Sequence, residues 1–447
     1  MNDKQILNKL SKKINEMGGE IYYVGGCVRD IQLNLPIKDV DVEVHKISTE
    51  NLEKILKSIG EIDYIGKSFG IYKIKGCNID ISLPRKEIKQ GEKHTDFTVE
   101  VNPFLGEKNA AKRRDFTINA LMKETGTGKV LDFFNGISDL QNKIIRHIED
   151  ISFQEDALRV LRACQFAARF DFKISTETLE LCKLIPLEKL SKERVFEELK
   201  KALLMSKRPS VFFENLREIN GLDFWFTELK DTIGIPQHEE KHQEGDVWKH
   251  TMMVLDEAAK IRDKSENPLA LMLSCLCHDF GKVVCSEKGK DGFTHAYKHE
   301  ELGLPLIEKF LDRLTNEKQL KKLVLNLVSL HQMPNTCYND LSSIKATNKM
   351  FYRAISPKDL ILLSSCDNRG KIPQKDIEKF LLERLDIYNE IMSKPFVQGK
   401  DLIASGLKPN KDFSKLLEFA NKNRLAGVNK ETALRQTLAY YKELKNS

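Results

Sequence analysis

The chain has 447 residues, more than a single typical domain, so we expect about two to four folding units. Hydrophobic residues make up 41% of the sequence and charged residues 31%, a globular composition that excludes a largely disordered chain. The formal net charge of +6 is too small to identify a polyanionic partner by itself.

The first segment, MNDKQILNKLSKKINEM, predicts a charged amphipathic helix and lacks the apolar core of a signal peptide. No apolar run approaches the length that spans a bilayer, so we expect a cytoplasmic protein without a membrane partner. The nine cysteines lack the spacing of a disulfide framework, which favours a reducing compartment. Cys275 and Cys277 lie in an apolar helical pattern without a second pair, so burial in a core is favoured over a zinc site.

The secondary-structure pattern changes near residue 138. Residues 21–137 mix short β-branched runs with helical segments and glycine-rich turns, which is typical of an α/β domain. From Ser138 onward, helical patterns fill the sequence. We therefore predict an α/β head followed by an all-α body.

Two aspartates in GGCVRDIQLNLPIKDVDVEV form the first candidate site. Asp39 and Asp41 are two residues apart on a predicted strand, so both side chains project from one face. Adjacent carboxylates repel unless cations neutralise them, which favours a divalent-metal site. The alternative is a solvated edge strand with alternating acids. The preceding Gly25 and Gly26 favour the metal site, because glycines let backbone N–H groups approach a triphosphate.

Two further motifs of the head have competing interpretations. Asp80 lies in NIDISLPRKE together with Arg85, and it is either a third carboxylate of the site or a structural acid, because distance in sequence gives no geometry. The GTGK of residues 126–129 lacks the upstream glycine and the following Ser or Thr of a phosphate-binding P-loop. We predict a hairpin turn there.

The segment KRRDFTINAL contributes a basic pair and three polar residues. Arg113 and Arg114 are candidates to neutralise phosphate, although a basic pair is more often a solvated surface. Asp115, Thr117 and Asn119 are candidates to cap or hydrogen-bond the start of a helix.

In order, the motifs GG-x-V-R-D, K-D-V-D, L-P-R-K-E, RRDFTINAL and LDFFNGISDL resemble the head of class II tRNA nucleotidyltransferases and bacterial poly(A) polymerases, within the DNA polymerase β superfamily. The resemblance implies that Asp39 and Asp41 are catalytic and hold Mg²⁺. It also implies that Gly25, Gly26 and Arg29 contact the triphosphate. The predicted nucleotide-binding residues are Gly25, Gly26, Arg29, Arg113, Arg114, Asp115, Asn119, Asp156, Arg159 and Arg162.

The segment FQEDALRVLRACQFAARF resembles the EDxxR motif of the same family. Asp156 and Arg159 are three residues apart on a predicted helix and hence neighbours on one face, where an ordinary intrahelical salt bridge is the alternative. A carboxylate beside an arginine can also bind the Watson–Crick edge of a base, since cytosine and adenine both present an amino donor beside a ring acceptor. One site would thereby accept both CTP and ATP. Arg162 and Arg169 extend the basic face, either for RNA phosphate or as solvated charges.

Two other segments resemble family features. The Lys-rich segment at residues 91–110 is similar to the flexible loop that helps these enzymes switch between CTP and ATP. SKERVFEELKKALL, with Arg194 and Glu197, is similar to the next neck motif, and we assign it no catalytic role.

Most of the histidines cluster in the body, where His250, His278, Asp279 and Asp367 resemble the H…HD…D order of HD metal-dependent phosphohydrolases. Histidine nitrogens and aspartate oxygens suit a divalent transition metal, Mn, Co or Ni, with an open position for water. A degenerate HD fold without activity is the alternative. By resemblance, the substrates are 2′,3′-cyclic phosphates and phosphomonoesters.

Three more histidines of this region remain open to two interpretations. His295, His299 and His331 are either additional ligands or phosphate contacts, or else surface and structural histidines.

The resemblance covers nearly the full chain and implies template-independent addition and repair of the 3′-terminal CCA of tRNA from CTP and ATP. The C-terminal QGKDLIASGLKPNKDFSKLLEFA resembles tail helices that hold the tRNA elbow. The predicted domains are a nucleotidyltransferase head at 1–137, a helical neck and RNA-binding region at 138–235, an HD domain at 236–370 and a tRNA-binding tail at 371–447. We expect a monomer or homodimer.

The closest alternative function is a poly(A) polymerase or an enzyme that adds only the terminal A to tRNA, since the head motifs are shared. A second alternative is a tRNA-binding protein or HD hydrolase with an inactive head, against which the intact Asp39 and Asp41 argue.

Overall fold

The computed structural model describes residues 2–37, 39–66, 70–89 and 97–446. The chain forms two compact units: unit 1 comprises Met1–Ala202 and Val211–Phe224, and unit 2 comprises Leu203–Ser210 and Trp225–Ser447. The finer division into four domains stays a prediction.

The strands of unit 1 are β1 (Glu20–Val24), β2 (Val40–His45), β3 (Ile62–Gly66), β4 (Ile71–Ile74), β5 (Ile79–Ser82), β6 (Arg85–Lys89), β7 (Phe97–Val101), β8 (Met122–Glu124), β9 (Val130–Leu131), β10 (Ile144–Ile145) and β11 (Lys173–Ile174). Seven of them form one mixed sheet in the order β3-β4-β5-β2-β1-β8-β9, in which β2 and β5 run parallel. The pairs β6–β7 and β10–β11 are separate.

The helices of unit 1, the last two of which share residues with unit 2, are α1 (Asp3–Glu16), α2 (Gly26–Gln32), α3 (Thr49–Lys57), α4 (Glu107–Lys112), α5 (Gly136–Gln141), α6 (Asp150–Gln154), α7 (Leu158–Phe170), α8 (Thr176–Lys183), α9 (Lys192–Met205) and α10 (Ser210–Glu218). The predicted N-terminal helix is confirmed as α1. Its first turn is closed by a reciprocal capping box between Asn2 and Gln5, and Leu10 and Ile14 of its apolar face are fully buried.

Strand β2 crosses the centre of the sheet. Val42 and Val44 are fully buried in the core beneath α1 and α3. Because strand side chains alternate between faces, Asp41 and Glu43 point to the opposite side. The prediction that both aspartates lie on the strand is wrong for Asp39, which occupies a bend one residue before β2 begins.

The turn around residues 126–129 is confirmed as a hairpin, because β8 and β9 pair antiparallel on either side of it. Of the Lys-rich segment at residues 91–110, residues 91–96 lie outside the described residues. The remainder begins with β7, which pairs with β6 over five residue pairs.

Unit 2 is helical apart from the strand pair β12 (Glu287–Lys288) and β13 (Thr294–His295). Its helices are α11 (Thr227–Lys230), α12 (Val247–Ile261), α13 (Pro268–Cys277), α14 (Lys282–Cys285), α15 (His299–Leu302), α16 (Leu304–Leu314), α17 (Lys318–Leu330), α18 (Met333–Asn339), α19 (Ile344–Arg353), α20 (Pro357–Arg369), α21 (Glu378–Ser393), α22 (Gly399–Ala404), α23 (Phe413–Leu425) and α24 (Lys430–Asn446). The predicted order of an α/β head and a helical body is confirmed.

Helix α13 is the apolar centre of unit 2. Cys275 and Cys277 are fully buried in it as free thiols, as predicted. The stretch Pro268–Cys285 has the length and mean hydropathy, 1.3, of a membrane-crossing helix, although the sequence led us to expect no such run. Within unit 2, 72% of this stretch is buried, as in the core helix of a globular domain.

Candidate functional site

Three carboxylates meet at the head sheet. Asp41 on β2 and Asp80 on β5 are directly paired in the parallel ladder. Burial raises the pKa of Asp41, the negative charges of Asp80 and Asp39 raise it further, and the nearby Arg114 opposes them. This repulsion is relieved by a bound cation, so the cluster is chemically suited to a divalent metal ion.

The turn at Gly25 and Gly26 leaves space for the side chain of Arg114. Gly25 precedes α2 with a φ of 68°, a conformation that side chains disfavour. A Cβ atom at Gly25 would lie 3.0 Å from Arg114 Nη1. Arg29, one turn into α2, is 4% exposed and donates a hydrogen bond from Nη1 to Asn119 Oδ1 at 2.7 Å. Arg29 therefore supports the turn, and its side chain also lines the cavity described below.

Asp115 connects this turn to the neck helix α7. Its Oδ1 accepts hydrogen bonds from the Phe116 backbone and from Asn119 Nδ2, at 2.8 and 2.9 Å. Its Oδ2 accepts from Arg162 Nε at 2.7 Å. Asp115, Asn119 and Arg162 were predicted as nucleotide-binding residues, and the structure places them in one hydrogen-bonded chain together with Arg29.

Glu43 is a buried acid that the sequence analysis missed. It is 1% exposed, lies 3.1 Å from Arg113 Nη2 and lies 3.0 Å from His45 Nε2. Burial alone would raise the pKa of Glu43, but the hydrogen bond with His45 and the charges of Arg113 and Arg114 lower it to about 2. The alternation D-x-D-x-E is a signal that could have identified it, since the third acid falls on the same strand face.

The prediction that Asp156 lies on the same helix as Arg159 is wrong, and so is the alternative of an intrahelical salt bridge between them. Helix α7 begins at Leu158, so Asp156 precedes the helix and its Oδ1 accepts the Leu158 backbone N–H at 3.1 Å. Its Oδ2 accepts instead from Arg194 Nη2 at 2.7 Å. Arg159 donates to the backbone carbonyls of Ser152 and Arg113, at 2.9 and 3.0 Å. These two bonds fix the plane of the Arg159 guanidinium.

An open cavity of about 410 Å³ collects these groups within unit 1. All ten predicted nucleotide-binding residues line it, together with Asp41 and with Arg194, to which no role was assigned. Arg169 does not line it and lies instead 3.9 Å from Asp30 Oδ2.

Four residues of unit 2 converge around one point. His250 Nε2 lies 3.2 Å from His278 Nε2 and 3.1 Å from Asp367 Oδ1, while His278 Nε2 lies 3.2 Å from Asp279 Oδ2. All four side chains are at most 2% exposed. Ligand atoms bound at about 2.1 Å to a single metal ion are separated by about 3.0–3.4 Å. The two remaining distances, from His250 Nε2 to Asp279 Oδ2 and from His278 Nε2 to Asp367 Oδ1, are slightly longer, at 3.6 and 3.8 Å. The residues therefore fit a metal ion.

The tautomers of the histidines also fit a metal. His278 and His331 follow the last residues of α13 and α17, and their Nδ1 atoms lie 2.9 and 2.7 Å from the backbone carbonyls of Cys275 and Val328. A carbonyl only accepts, so each Nδ1 carries the proton and each Nε2 presents its lone pair. Burial lowers the pKa of His331 to about 3, which keeps the ring neutral.

A second group of ligands shares Asp279. His299 Nε2 lies 3.2 Å from Asp279 Oδ1 and 3.2 Å from His331 Nε2. Asp279, His299 and His331 thus form another cluster able to hold a metal ion. His295 is not part of it, because its Nε2 is paired with Asp291 Oδ2 at 2.8 Å.

Acids and lysines surround the two groups. Glu244, absent from the sequence predictions, is 1% exposed and lies 3.0 Å from His250 Nδ1, which directs Nε2 toward the cluster. Lys282 and Lys371 each lie 2.7 Å from a ligand carboxylate, those of Asp279 and Asp367 respectively.

Gly281 sets the distance between α14 and α15. A Cβ atom at Gly281 would lie 2.0 Å from the carbonyl oxygen of His299 and 2.8 Å from the backbone nitrogen of Gly303. The absence of a side chain therefore allows His299 to approach Asp279.

Three family models match the chain: the poly A polymerase head domain at residues 21–146, the probable RNA and SrmB-binding site of polymerase A at 171–233, and the HD domain at 247–368. The multifunctional CCA protein of Mannheimia succiniciproducens is 34% identical over 376 residues, which cover 80% of this chain and 87% of that protein. That of Actinobacillus pleuropneumoniae serotype 5b is 31% identical over 423 residues, which cover 92% of this chain and 98% of that protein. The chain belongs to the multifunctional CCA protein family.

This member of the multifunctional CCA protein family shares its fold with solved structures of CCA-adding enzymes. The Bacillus stearothermophilus enzyme in complex with CTP has a TM-score of 0.69 at 18% identity, covering 100% of this chain and 99% of that one. The Thermotoga maritima enzyme complexed with tRNA has a TM-score of 0.64 at 19% identity, covering 99% of both chains. The predicted fold class and family are thereby confirmed, and the family implies use of divalent metal ions.

Proposed function

We propose that this chain adds and repairs the 3′-terminal CCA of tRNA, using CTP and ATP and releasing pyrophosphate. The observation that carries this proposal is the cavity of unit 1, which joins Asp41, the arginine pair Arg113 and Arg114, and the polar group of Asp156, Arg159 and Arg194. Asp41 offers a carboxylate for metal ions, and Asp156, Arg159 and Arg194 offer hydrogen-bonding groups for a base.

In the proposed reaction, Asp39 and Asp41 hold Mg²⁺, with Asp80 beside Asp41. When bound, the ions supply Lewis-acid activation of the RNA 3′-hydroxyl and neutralise charge on the α-phosphate and pyrophosphate. Arg113 and Arg114 bind the triphosphate.

Base selection follows from the donors and acceptors of the neck. Asp156 accepts a hydrogen bond from the amino group of cytosine or adenine, and Arg159 donates one to the adjacent ring nitrogen. Arg194 holds the carboxylate in place. Uracil and guanine present a carbonyl where the amino group is needed, so they leave Asp156 facing an acceptor.

The test incubates the protein with tRNA lacking its terminal CCA and with each labelled nucleotide in turn. Incorporation of C, C and A, stopping at three, is the expected result. Unlimited incorporation of A would identify a poly(A) polymerase, and a single A added only to tRNA ending in CC would identify an A-adding enzyme. Either result contradicts the proposal.

We also propose that unit 2 is a metal-dependent phosphohydrolase acting on 2′,3′-cyclic phosphates and phosphomonoesters. His250, His278, Asp279 and Asp367 would hold a divalent transition metal, Mn, Co or Ni, because two imidazole nitrogens join two carboxylate oxygens in the set. The metal supplies an activated water molecule when bound. Hydrolysis of a 2′,3′-cyclic end with one of these metals added to chelated protein tests the proposal.

With Asp279, His299 and His331 would hold a second metal ion in the same site. The proposal is that this second position is filled together with the first. Metal analysis of the purified protein by mass spectrometry tests this, and we expect about one equivalent fewer in His331→Ala than in the wild type.

The four predicted domains, 1–137, 138–235, 236–370 and 371–447, complete the proposal, with tRNA bound by the neck and tail. The substrates tRNA, CTP and ATP would place the protein in the cytoplasm. A monomer or homodimer is compatible with this activity.

A further inference from the structure

A cavity of about 350 Å³ in unit 2 adjoins the proposed metal cluster. His299 lines it and lies 3.2 Å from Asp279, and Lys371 lines it and lies 2.7 Å from Asp367. One end of the cavity is therefore at the place where phosphate chemistry is proposed. Its volume falls within the range of about 300–1,000 Å³ typical of small-ligand sites.

Two imidazoles away from the ligand set also line this cavity, and each stacks on a second aromatic ring. His238 is parallel to Phe293, with ring centroids 4.5 Å apart and an interplanar angle of 8°. His295 is parallel to Tyr297 at 5.2 Å and 8°, and the two imidazoles meet edge to face at 5.6 Å. We call His238, Phe293, His295 and Tyr297 the aromatic platform.

The aromatic platform is not part of a hydrophobic core. Tyr297 is 68% exposed, and the other three rings are only partly buried. Asp291 fixes the His295 ring through hydrogen bonds of 2.8 and 3.0 Å to Nε2. His238 Nδ1 is buried and makes no hydrogen bond with any residue in the described part of the chain. The two imidazoles are thus held at the cavity wall by the rings of Phe293 and Tyr297, while one polar ring atom remains unsatisfied.

The remaining walls carry groups that suit a nucleotide. Lys241 and Lys375 line the cavity and add positive charge, against the single acid Glu240. Asn339 lines it as well, and so do Asn335 and Asn368, whose amides are hydrogen-bonded to each other at 2.6 Å. Amide side chains form paired hydrogen bonds with base edges, and lysines bind phosphate.

We propose that the aromatic platform stacks on the nucleobase of the substrate whose phosphate lies at the metal cluster. The site then selects nucleotide phosphoesters over phosphoesters without a base. This inference rests on the proposed phosphohydrolase function and names the recognition element of that site. Base stacking on aromatic rings strengthens binding by about 5- to 150-fold per base.

The experiment measures binding of adenosine 2′-phosphate and of glycerol 2-phosphate by calorimetry with a chelator present, so that no turnover occurs. In His238→Ala, the dissociation constant for adenosine 2′-phosphate should rise by about 5- to 150-fold. Tyr297→Ala removes the ring that stacks on His295 and should also raise it. Binding of glycerol 2-phosphate should not change. His238→Phe keeps an aromatic ring and should bind the nucleotide nearly as well as wild type.

Tyr352→Ala is the matched control, because Tyr352 is a 52% exposed tyrosine of the same unit, whereas Tyr297 stacks on His295 of the cavity wall. Equal weakening of both ligands, or no weakening of either, would overturn the aromatic platform. A second comparison decides whether the base belongs to an RNA end or to a free nucleotide. It uses two RNAs with a 2′-phosphate end, one with an ordinary 3′-terminal nucleotide and one with an abasic 3′-terminal nucleotide. Tighter binding of the ordinary RNA assigns the aromatic platform to RNA ends, and equal binding assigns it to free nucleotides.

Failure of the wild type to hydrolyse any phosphoester with Mn²⁺, Co²⁺ or Ni²⁺ would overturn the phosphohydrolase proposal. The metal-free binding measurement still decides on the aromatic platform in that case, so the two failures are distinguishable.

Discussion

Asp156 Oδ2 accepts a hydrogen bond from Arg194 Nη2 at 2.7 Å, although 38 residues separate them in the sequence. Asp156 lies two residues before α7 and Arg194 lies in α9, so a residue distant in the sequence holds the proposed base-binding carboxylate. Removing Arg194 would leave Asp156 free to rotate away from the base.

We therefore predict that Arg194→Ala impairs base selection as strongly as Arg159→Ala. Discrimination of CTP against UTP, measured as the ratio of kcat/KM values, should fall by about 5- to 150-fold in both variants, the effect of one unpaired polar group. Arg146→Ala removes an arginine of the same unit from the pair with Glu177 and should leave the ratio unchanged. If Arg194→Ala discriminates between CTP and UTP as well as the wild type does, Arg194 has no role in base recognition and Arg159 acts without it.

The pairing of Asp41 with Asp80 predicts that Asp80 acts with the two aspartates of the DVD motif. Nucleotide incorporation should fall by at least about two orders of magnitude in Asp39→Asn, Asp41→Asn and Asp80→Asn, while tRNA affinity in a gel-shift assay changes little. Asp63→Asn, on strand β3 of the same sheet, is the control. If Asp80→Asn behaves like Asp63→Asn, Asp80 is a structural acid.

Glu43 predicts a pH dependence of the stability of unit 1. Its pKa is about 2 in the folded protein against a usual value of 4.5, so its contribution is complete above pH 4.5 and is lost as the pH falls toward 2. At about pH 3, protonation of Glu43 should have lowered the free energy of unfolding by about 2 kcal/mol relative to neutral pH.

Urea unfolding, followed from near-neutral pH to about pH 3, checks this. Glu43→Gln should be less stable at neutral pH, because Arg113 loses its buried partner, but should lose less stability on acidification. Parallel pH profiles of the two proteins would show that Glu43 is not the titrating group.

The two proposed activities should be separable, because the ligands of unit 2 and the carboxylates of unit 1 are different residues. The double variant His278→Ala/Asp279→Ala should lose bound metal and phosphohydrolase activity. It should still add CCA to tRNA with a free 3′-hydroxyl and should stall on a 2′,3′-cyclic end. Asp263→Ala, an exposed acid of the same unit, serves as the control. Loss of CCA addition to the free end would contradict separability.

The sequence predicted the elements that depend on local pattern. Strand β2 forms in the segment where the sequence predicted a strand, and the apolar period of α1 appears as expected. The H…HD…D positions converge as the family pattern implied. Where the sequence failed, the deciding contact was between distant residues or at an element boundary. The start of α7 at Leu158 separates Asp156 from Arg159, and only the packing of α9 reveals Arg194 as its partner.

The sequence could not decide between two interpretations of His295 and His299 for a similar reason. Whether His299 or His295 joins the cluster depends on the direction of each ring, and spacing along the chain does not specify that direction. The structure separates them because Asp291 pairs with His295, while α15 presents His299 to Asp279.

The close approach at Gly281 bears on how natural and engineered variants of this chain should be interpreted. Even alanine there would place a methyl group 2.0 Å from the His299 carbonyl, so the backbone of α15 must move. In a library of random substitutions, Gly281 has no side chain that could bind a metal, yet it should tolerate substitution as poorly as the metal ligands themselves. Selection for CCA addition alone would leave such changes unpenalised, so Gly281 would report on whether phosphohydrolysis matters to the cell.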